Sequence, residues 1–337
     1  MQCYEVRKAG GVEALELVER PIPHPGPGEV LVRVRAVTLN YRDLLTVKGG
    51  YGSRQKFPLI PLSDSAGVVE AVGPGVSRLK PGDRVFNSFF QNWIDGAPSE
   101  EKFRSAPGGM LDGVLTQYRV FPQHAVLSPP SHLSDIEAAA LPCAGLTAWS
   151  AVMKFEPPRP GSVVLTQGTG GVSLFALQFA KLAGARIIAT SSSEEKIEKL
   201  HKLGADETIN YRSRPEWGKE ARTLTEGRGV DLVIEVGGAG TLNESLRAVR
   251  IGGMLAMIGV LAGPANDLRL PIVVMQQLRL QGVTVGSIED LRSMTAAIAQ
   301  HRLRPVVEKA FPFAAAREAF RYLAEGRHFG KVAIALD

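Results

Sequence analysis

Between residues 162 and 193 the chain passes through an ordered series of patterns. An apolar β-branched run (Ser162–Thr166) meets a glycine cluster (Gly168, Gly170, Gly171), and apolar residues then recur at helical spacing from Val172 to Leu182. Gly184 closes that stretch, and a second β-branched run, Arg186–Thr190, follows. This order predicts strand, tight turn, helix, strand. Downstream, VVLTQ, RIIATS, ETINY, DLVIEVGG, GMLAMIGV and LQGVTVGS are apolar runs with helical stretches between most of them, which predicts a mostly parallel, doubly wound α/β sheet. The first 128 residues read differently. Short β-branched runs at 29–39, 67–73 and 83–89 are punctuated by turns such as PGPGEV and KPGDRV, as in a compact antiparallel β-domain.

Three further segments complete the plan. Residues 91–113 lack periodicity and predict a long surface loop bordering a site. Ser134 and Glu137 form a capping-box pattern ahead of a helix running towards Lys154. Its most apolar part, Ala138–Met153, is interrupted by Pro142, Thr147 and Ser150, which reads as a buried helix, too short and too polar to span a bilayer. After residue 288 come two helices, Glu289–His301 and Ala314–Glu325, and a last strand, KVAIAL, that returns to the first domain. The expected division is 1–128 with 288–337 in one domain and 129–287 in the other.

The glycine cluster has the form Gly168-x-Gly170-x-x-Ser173, one small residue away from the usual third glycine. Placed between a strand and a helix, such a turn lets the backbone approach a pyrophosphate at the helix N-terminus. Gly168, Thr169, Gly170, Gly171 and Val172 are therefore expected to hold a dinucleotide. Val236-Gly237-Gly238 and Ile258-Gly259-Val260 end later strands on the side where parallel sheets bind ligands, so Gly237, Gly259 and Val260 join the list. The net charge of +5 is scattered, with no basic run interleaved with aromatics, so nucleic acid is not an expected partner. Two cysteines imply no disulfide framework, and with no apolar signal core at the N-terminus a cytoplasmic, non-membrane protein is expected.

KPGDRVF (80–86), LPCAGLTAWSAV (141–152), QGTGGVSLFALQFAK (167–181), HKLGADETINY (201–211) and GRHFGK (326–331) together resemble the medium-chain dehydrogenase/reductase superfamily, and within it the zinc-free quinone oxidoreductase branch. The resemblance covers essentially the whole chain. It implies a GroES-like β-barrel catalytic domain beside a Rossmann domain, with a cofactor in the cleft between them. Zinc enzymes of the superfamily place ligands where this chain has Asn40, Ser63-Asp64 and Cys143. Asn40 and Ser63 are poor ligands for such a cation, so no metal is expected. Asn40 and Tyr51 fall at positions lining the substrate cleft of the quinone reductases, where an amide and a hydroxyl donate to a developing oxyanion. The acid that binds the ribose 2′-hydroxyl in NAD enzymes is replaced by Ser191, followed by Ser192. Lys196 and Tyr211 match residues that contact the 2′-phosphate, and Thr147 one near the nicotinamide. The resemblance thus implies an NADPH-dependent, zinc-independent reductase of quinones or α,β-unsaturated carbonyl compounds. It also implies a homodimer joined through 280–287. The alternatives are an alcohol dehydrogenase with a weak metal site at Asp64 and Cys143, and a non-catalytic NADPH binder.

Overall fold

Alternation of β-branched runs with Pro/Gly turns builds the first half of the chain. The computed structural model describes residues 1–50, 55–259, 261 and 268–336. The expected site residues Tyr51 and Val260 lie outside the described residues. The chain divides into two units, Met1–Leu146 with Gly286–Asp337, and Thr147–Val285.

In the first unit, β1 (Gln2–Val6) and β2 (Leu15–Glu19) form an antiparallel pair. β3 (Glu29–Thr38) is the longest strand and the centre of a larger sheet. It pairs with β4 (Asp64–Val72) and β6 (Tyr118–Pro122), and beyond β4 the sheet continues through β5 (Arg84–Asn87) to β7 (Val126–Leu127). Val30, Val32, Val34 and Val37 of β3 pack into one apolar core with Phe121 and Phe320.

The second unit is a six-stranded, all-parallel sheet made of β8 (Val163–Gln167), β9 (Arg186–Ser191), β10 (Glu207–Asn210), β11 (Val230–Glu235), β12 (Val249–Met257) and β13 (Arg279–Gly282). Its spatial order is β10-β9-β8-β11-β12-β13. The chain therefore reverses direction of growth between β8 and β11, which in open α/β sheets opens the ligand-binding crevice at the carboxyl ends of those strands. β14 (Val307–Pro312) and β15 (Lys331–Ala335) then return to the first unit, where β15 pairs antiparallel with β3.

Three expectations change. Residues 129–146 belong to the first unit, because Thr38 Oγ1 donates to Ala139 O at 2.9 Å and Cys143 N donates to Asp64 at 3.1 Å. The capping box at Ser134–Glu137 forms, but the helix beyond it winds through two π-helical turns, Leu141–Gly145 and Ser150–Lys154. By length and composition Asp135–Lys154 is apolar enough to cross a membrane, contrary to the reading from its polar interruptions, and 72% of its most apolar window is buried. Residues 91–113 form the expected loop apart from one short helix, Glu100–Phe103, and they are fastened to the fold. Phe90, Trp93 and Phe103 stack together, and Arg42 donates to the carbonyls of Pro107 and Gly108 at 2.9 and 2.8 Å.

Candidate active site

The crevice end of β8 carries the glycine turn. Gly168 has φ +68°, a left-handed conformation that favours glycine, and Gly170 caps the twelve-residue helix Gly171–Leu182. A Cβ built on either glycine meets no atom within 4 Å, so both glycines border open space. The amides of Gly171, Val172 and Ser173 stand in the first helical turn, where the helix itself supplies no acceptor. Ser173 is buried and its Oγ donates to Gln167 O at 2.6 Å, which explains how serine serves where glycine is usual. Thr169 is nearly buried beside this turn. A backbone cradle with unfilled space at a helix N-terminus fits a dinucleotide pyrophosphate.

The next strand end gathers the expected 2′-phosphate residues. Ser191 closes β9 and pairs in register with Asn210 of β10. Tyr211 follows directly, its amide donating to Ser191 O at 3.0 Å. Ser192 lies between Ser191 and the cap of the helix Glu194–Leu203, Ser193, whose Oγ accepts from Lys196 N. Lys196 thus stands in the first turn of that helix. Ser191, Ser192, Lys196 and Tyr211 come together at one sheet corner. Thr147 is buried at the start of the second unit, in the helical turn between the two π segments.

Gly237 and Gly259 have a packing reason to be glycine. A Cβ would stand 2.3 Å from Thr241 Oγ1 in the first case and 2.2 Å from Val236 O in the second. Their turn is organised by Glu235, which the sequence reading missed. This carboxylate is fully buried at the end of β11. Its Oε1 accepts from Gly237 N (2.8 Å), Gly238 N (3.0 Å) and Thr241 Oγ1 (2.5 Å), and its Oε2 from Gln167 Nε2 (2.8 Å) and Ser245 Oγ. Gln167 also accepts from Val236 N at 3.2 Å. The network locks the β8 and β11 ends together at the switch point. A charged residue inside the apolar run DLVIEVGG was the available signal.

In the first unit, sheet register assembles a second cluster. Asp64 pairs with Thr38 across β3 and β4, and Leu39 N donates to Val332 O beside β15. Asn40, which caps the helix Tyr41–Val47, therefore lies between Asp64 and Lys331. Lys331 Nζ donates to Asn40 Oδ1 at 2.5 Å and to Leu39 O at 2.6 Å. Asn40 Nδ2 donates to Asp64 Oδ2 at 3.0 Å. The same oxygen accepts from Cys143 N at 3.1 Å, and Asp64 Oδ1 accepts from Ser63 Oγ at 2.6 Å. Asp64 is fully buried and Lys331 only 3% exposed. Burial raises the Asp64 carboxyl above its ordinary range, opposed by Lys331 and by the hydrogen bonds from Ser63, Asn40 and Cys143. Burial, reinforced by Asp64, also drives the Cys143 thiol far up, so the thiolate that would bind a metal is disfavoured.

These groups do not fit a zinc ion. Asp64 already accepts three hydrogen bonds, Asn40 Oδ1 faces an ammonium, and burial disfavours the Cys143 thiolate. Among the described residues no three His, Cys, Asp or Glu side chains form a metal-holding group.

Asp43 acts as a cap: its Oδ2 accepts from Asn40 N at 2.7 Å, and Arg42 lies 3.5 Å away. Burial pushes its carboxyl from 3.8 up to about 6. The folded state therefore holds a proton that the unfolded chain has already released, and this favourable contribution is lost as pH rises from about 4 through about 6. Relative to Asp43→Asn, the wild type should lose about 2 kcal/mol of stability between about pH 4 and pH 7. Urea unfolding at the two pH values measures it, and a pH-independent difference would contradict it.

The sequence matches the model for an alcohol dehydrogenase GroES-like domain over residues 26–131 and that for a zinc-binding dehydrogenase over residues 171–300. It is 43% identical over 334 residues to a zinc-type alcohol dehydrogenase-like protein of Schizosaccharomyces pombe, covering 97% of this chain and 96% of that one. A solved structure described as an NAD-dependent alcohol dehydrogenase superposes with TM-score 0.92 at 37% identity, covering 100% of both chains. An acryloyl-coenzyme A reductase of Metallosphaera sedula is 28% identical over 332 residues, covering 96% of this chain and 97% of that protein. With its GroES-like first unit and its parallel nucleotide-binding sheet, the chain belongs to the zinc-type alcohol dehydrogenase-like medium-chain dehydrogenase/reductase family of nicotinamide-dependent oxidoreductases.

Proposed function

We propose that this protein is an NADPH-dependent reductase of quinones or α,β-unsaturated carbonyl compounds that works without zinc. The observation that carries the reading is the saturated cluster around Asp64, where the zinc enzymes of the family would coordinate a metal. In its place stands an amide in a fixed orientation. Lysine can only donate and an ionised aspartate can only accept, so Lys331 and Asp64 determine which end of the Asn40 amide is oxygen. One N–H of Asn40 Nδ2 goes to Asp64, and the second is the donor that an acceptor carbonyl would meet.

When bound, NADPH would supply the hydride that the acceptor carbon receives, and water would supply the proton. Asn40 stabilises negative charge developing on that oxygen. The glycine turn at Gly168–Val172 cradles the pyrophosphate. Ser191, Ser192, Lys196 and Tyr211 support a 2′-phosphate at the end of β9, where no carboxylate ends the strand to repel it. The related acryloyl-coenzyme A reductase supports a conjugated carbonyl acceptor. A homodimer is part of the same reading. β13 is the last strand of the sheet, and Leu270, Val274 and Met275, at 60%, 71% and 80% exposure, leave apolar surface before it.

Lys196→Ala tests the cofactor assignment. It should weaken NADPH by roughly 1–3 kcal/mol, the worth of a charge-assisted hydrogen bond, and leave NADH nearly unchanged. Dissociation constants from nicotinamide fluorescence decide it; equal weakening of the two cofactors would remove the 2′-phosphate site.

A further inference from the structure

We propose that Lys331 is the resident cation of the Asn40–Asp64 cluster, in the place a metal holds in the zinc enzymes of the family, and that it acts as a positioning residue for the Asn40 amide. The inference rests on the reductase reading above and names a residue for that same site. Three observations carry it. Lys331 is 3% exposed, yet among the described residues its ammonium pairs directly with no carboxylate; it donates to two neutral oxygens, Leu39 O and Asn40 Oδ1. The charge of Asp64 reaches it through the intervening amide, because Asn40 Nδ2 donates to Asp64 Oδ2. The strand that brings Lys331 here is held on both sides: β15 is hydrogen-bonded to β14 on one side and to β3 on the other.

The consequence is electrostatic as well as geometric. A buried carboxylate and a buried ammonium bracket one amide, so the amide is polarised along the Lys331–Asn40–Asp64 line and cannot flip without setting like groups against each other. Two further charges lie close by. Asp43 accepts from Asn40 N, and Arg42 faces Asp43 at 3.5 Å, so the cluster carries two acids and two bases and is neutral as a whole. A further cation added to this cluster would upset that balance.

The test combines Asn40→Ala, Lys331→Met, the double variant of the two, and Lys331→Met with Asp64→Asn, which removes both buried charges together and protects the fold. The readouts are kcat and KM with an enone acceptor, the NADPH dissociation constant, and stability to urea. Lys331→Met should lower kcat by about tenfold or more through misplacement of the amide, with NADPH binding within about twofold of wild type. The double variant with Asn40→Ala should be no slower than the slower single variant. The charge-neutral pair should unfold close to wild type and remain slow. Wild-type turnover in the charge-neutral pair, or losses that multiply in the double variant, would overturn the inference. If Asn40→Ala itself turns over at the wild-type rate, it is the reading of Asn40 that falls. If the wild type reduces no acceptor, the reductase reading falls, and the hold of Lys331 on Asn40 is then read from urea unfolding alone: non-additive stability losses support it and additive losses overturn it.

Discussion

Gly170→Val is expected to leave the protein folded and to abolish cofactor binding. Gly170 has φ −78° and ψ 172°, an extended conformation open to any residue, so the substitution strains no backbone. Its Cβ would meet no atom within 4 Å. Gly170 is the N-cap of its helix, and valine in that position costs no more than about 1 kcal/mol. Space that is empty for the fold is occupied once a pyrophosphate lies against the first turn. Side-chain carbons there would deny the phosphate oxygens about two charge-assisted hydrogen bonds, each worth roughly 1.5–3 kcal/mol. Affinity for NADPH should fall by a hundredfold or more, about 2.7 kcal/mol at the least. Titration of NADPH fluorescence beside a thermal melt checks both halves. Undiminished binding in a folded variant would move the cofactor away from this turn.

The second large effect concerns stability. Glu235→Ala removes one buried carboxylate and strands the five donors that converge on it: Gly237 N, Gly238 N, Thr241 Oγ1, Gln167 Nε2 and Ser245 Oγ. Breaking a buried charged network by removing one member costs about 3–5 kcal/mol, a fall on the order of 10 °C in melting temperature. Glu235→Gln should cost less but not nothing. Its oxygen can serve Gly237 and Gly238, and its NH₂ then faces Gln167 Nε2, a donor against a donor. Gln167 cannot turn its own oxygen to meet that NH₂ without losing Val236 N. Differential scanning calorimetry of the two variants should rank them wild type, Gln, Ala. An unchanged melting temperature for Glu235→Ala would mean that the strand-end turn is held by something else.

These residues show what the sequence could and could not disclose. The strand–glycine–helix–strand order at 162–190 is legible because each step is local: period two, then Gly, then period 3.6, then period two again. The corner formed by Ser191, Lys196 and Tyr211 came from the family resemblance; in the fold, one strand end and one helix start bring Ser191 and Lys196 together, and one strand pairing adds Tyr211. The Asn40 cluster is not local. Lys331 reaches Asn40 from 291 positions away, through the pairing of β15 with β3, and no spacing in the chain announces that pairing. Residues 91–113 read as a surface loop, and what fastens that loop was not legible, because it comes from an aromatic stack and from Arg42 in another segment, neither of which has a period. The domain boundary was set too early because the helix after Ser134 looks like the start of the parallel sheet, while its hydrogen bonds go to β3 and β4. Glu235 was legible in principle: a lone acid inside an apolar strand must be either paired or surrounded by donors.

The central claim is that this chain transfers hydride from NADPH without a metal. The most direct measurement follows NADPH oxidation at 340 nm with a quinone and with an enone acceptor, in the presence and absence of a zinc chelator, and repeats it with NADH. Turnover that resists the chelator and is much slower with NADH is the predicted result. No turnover with either acceptor, or turnover abolished by the chelator, would contradict it.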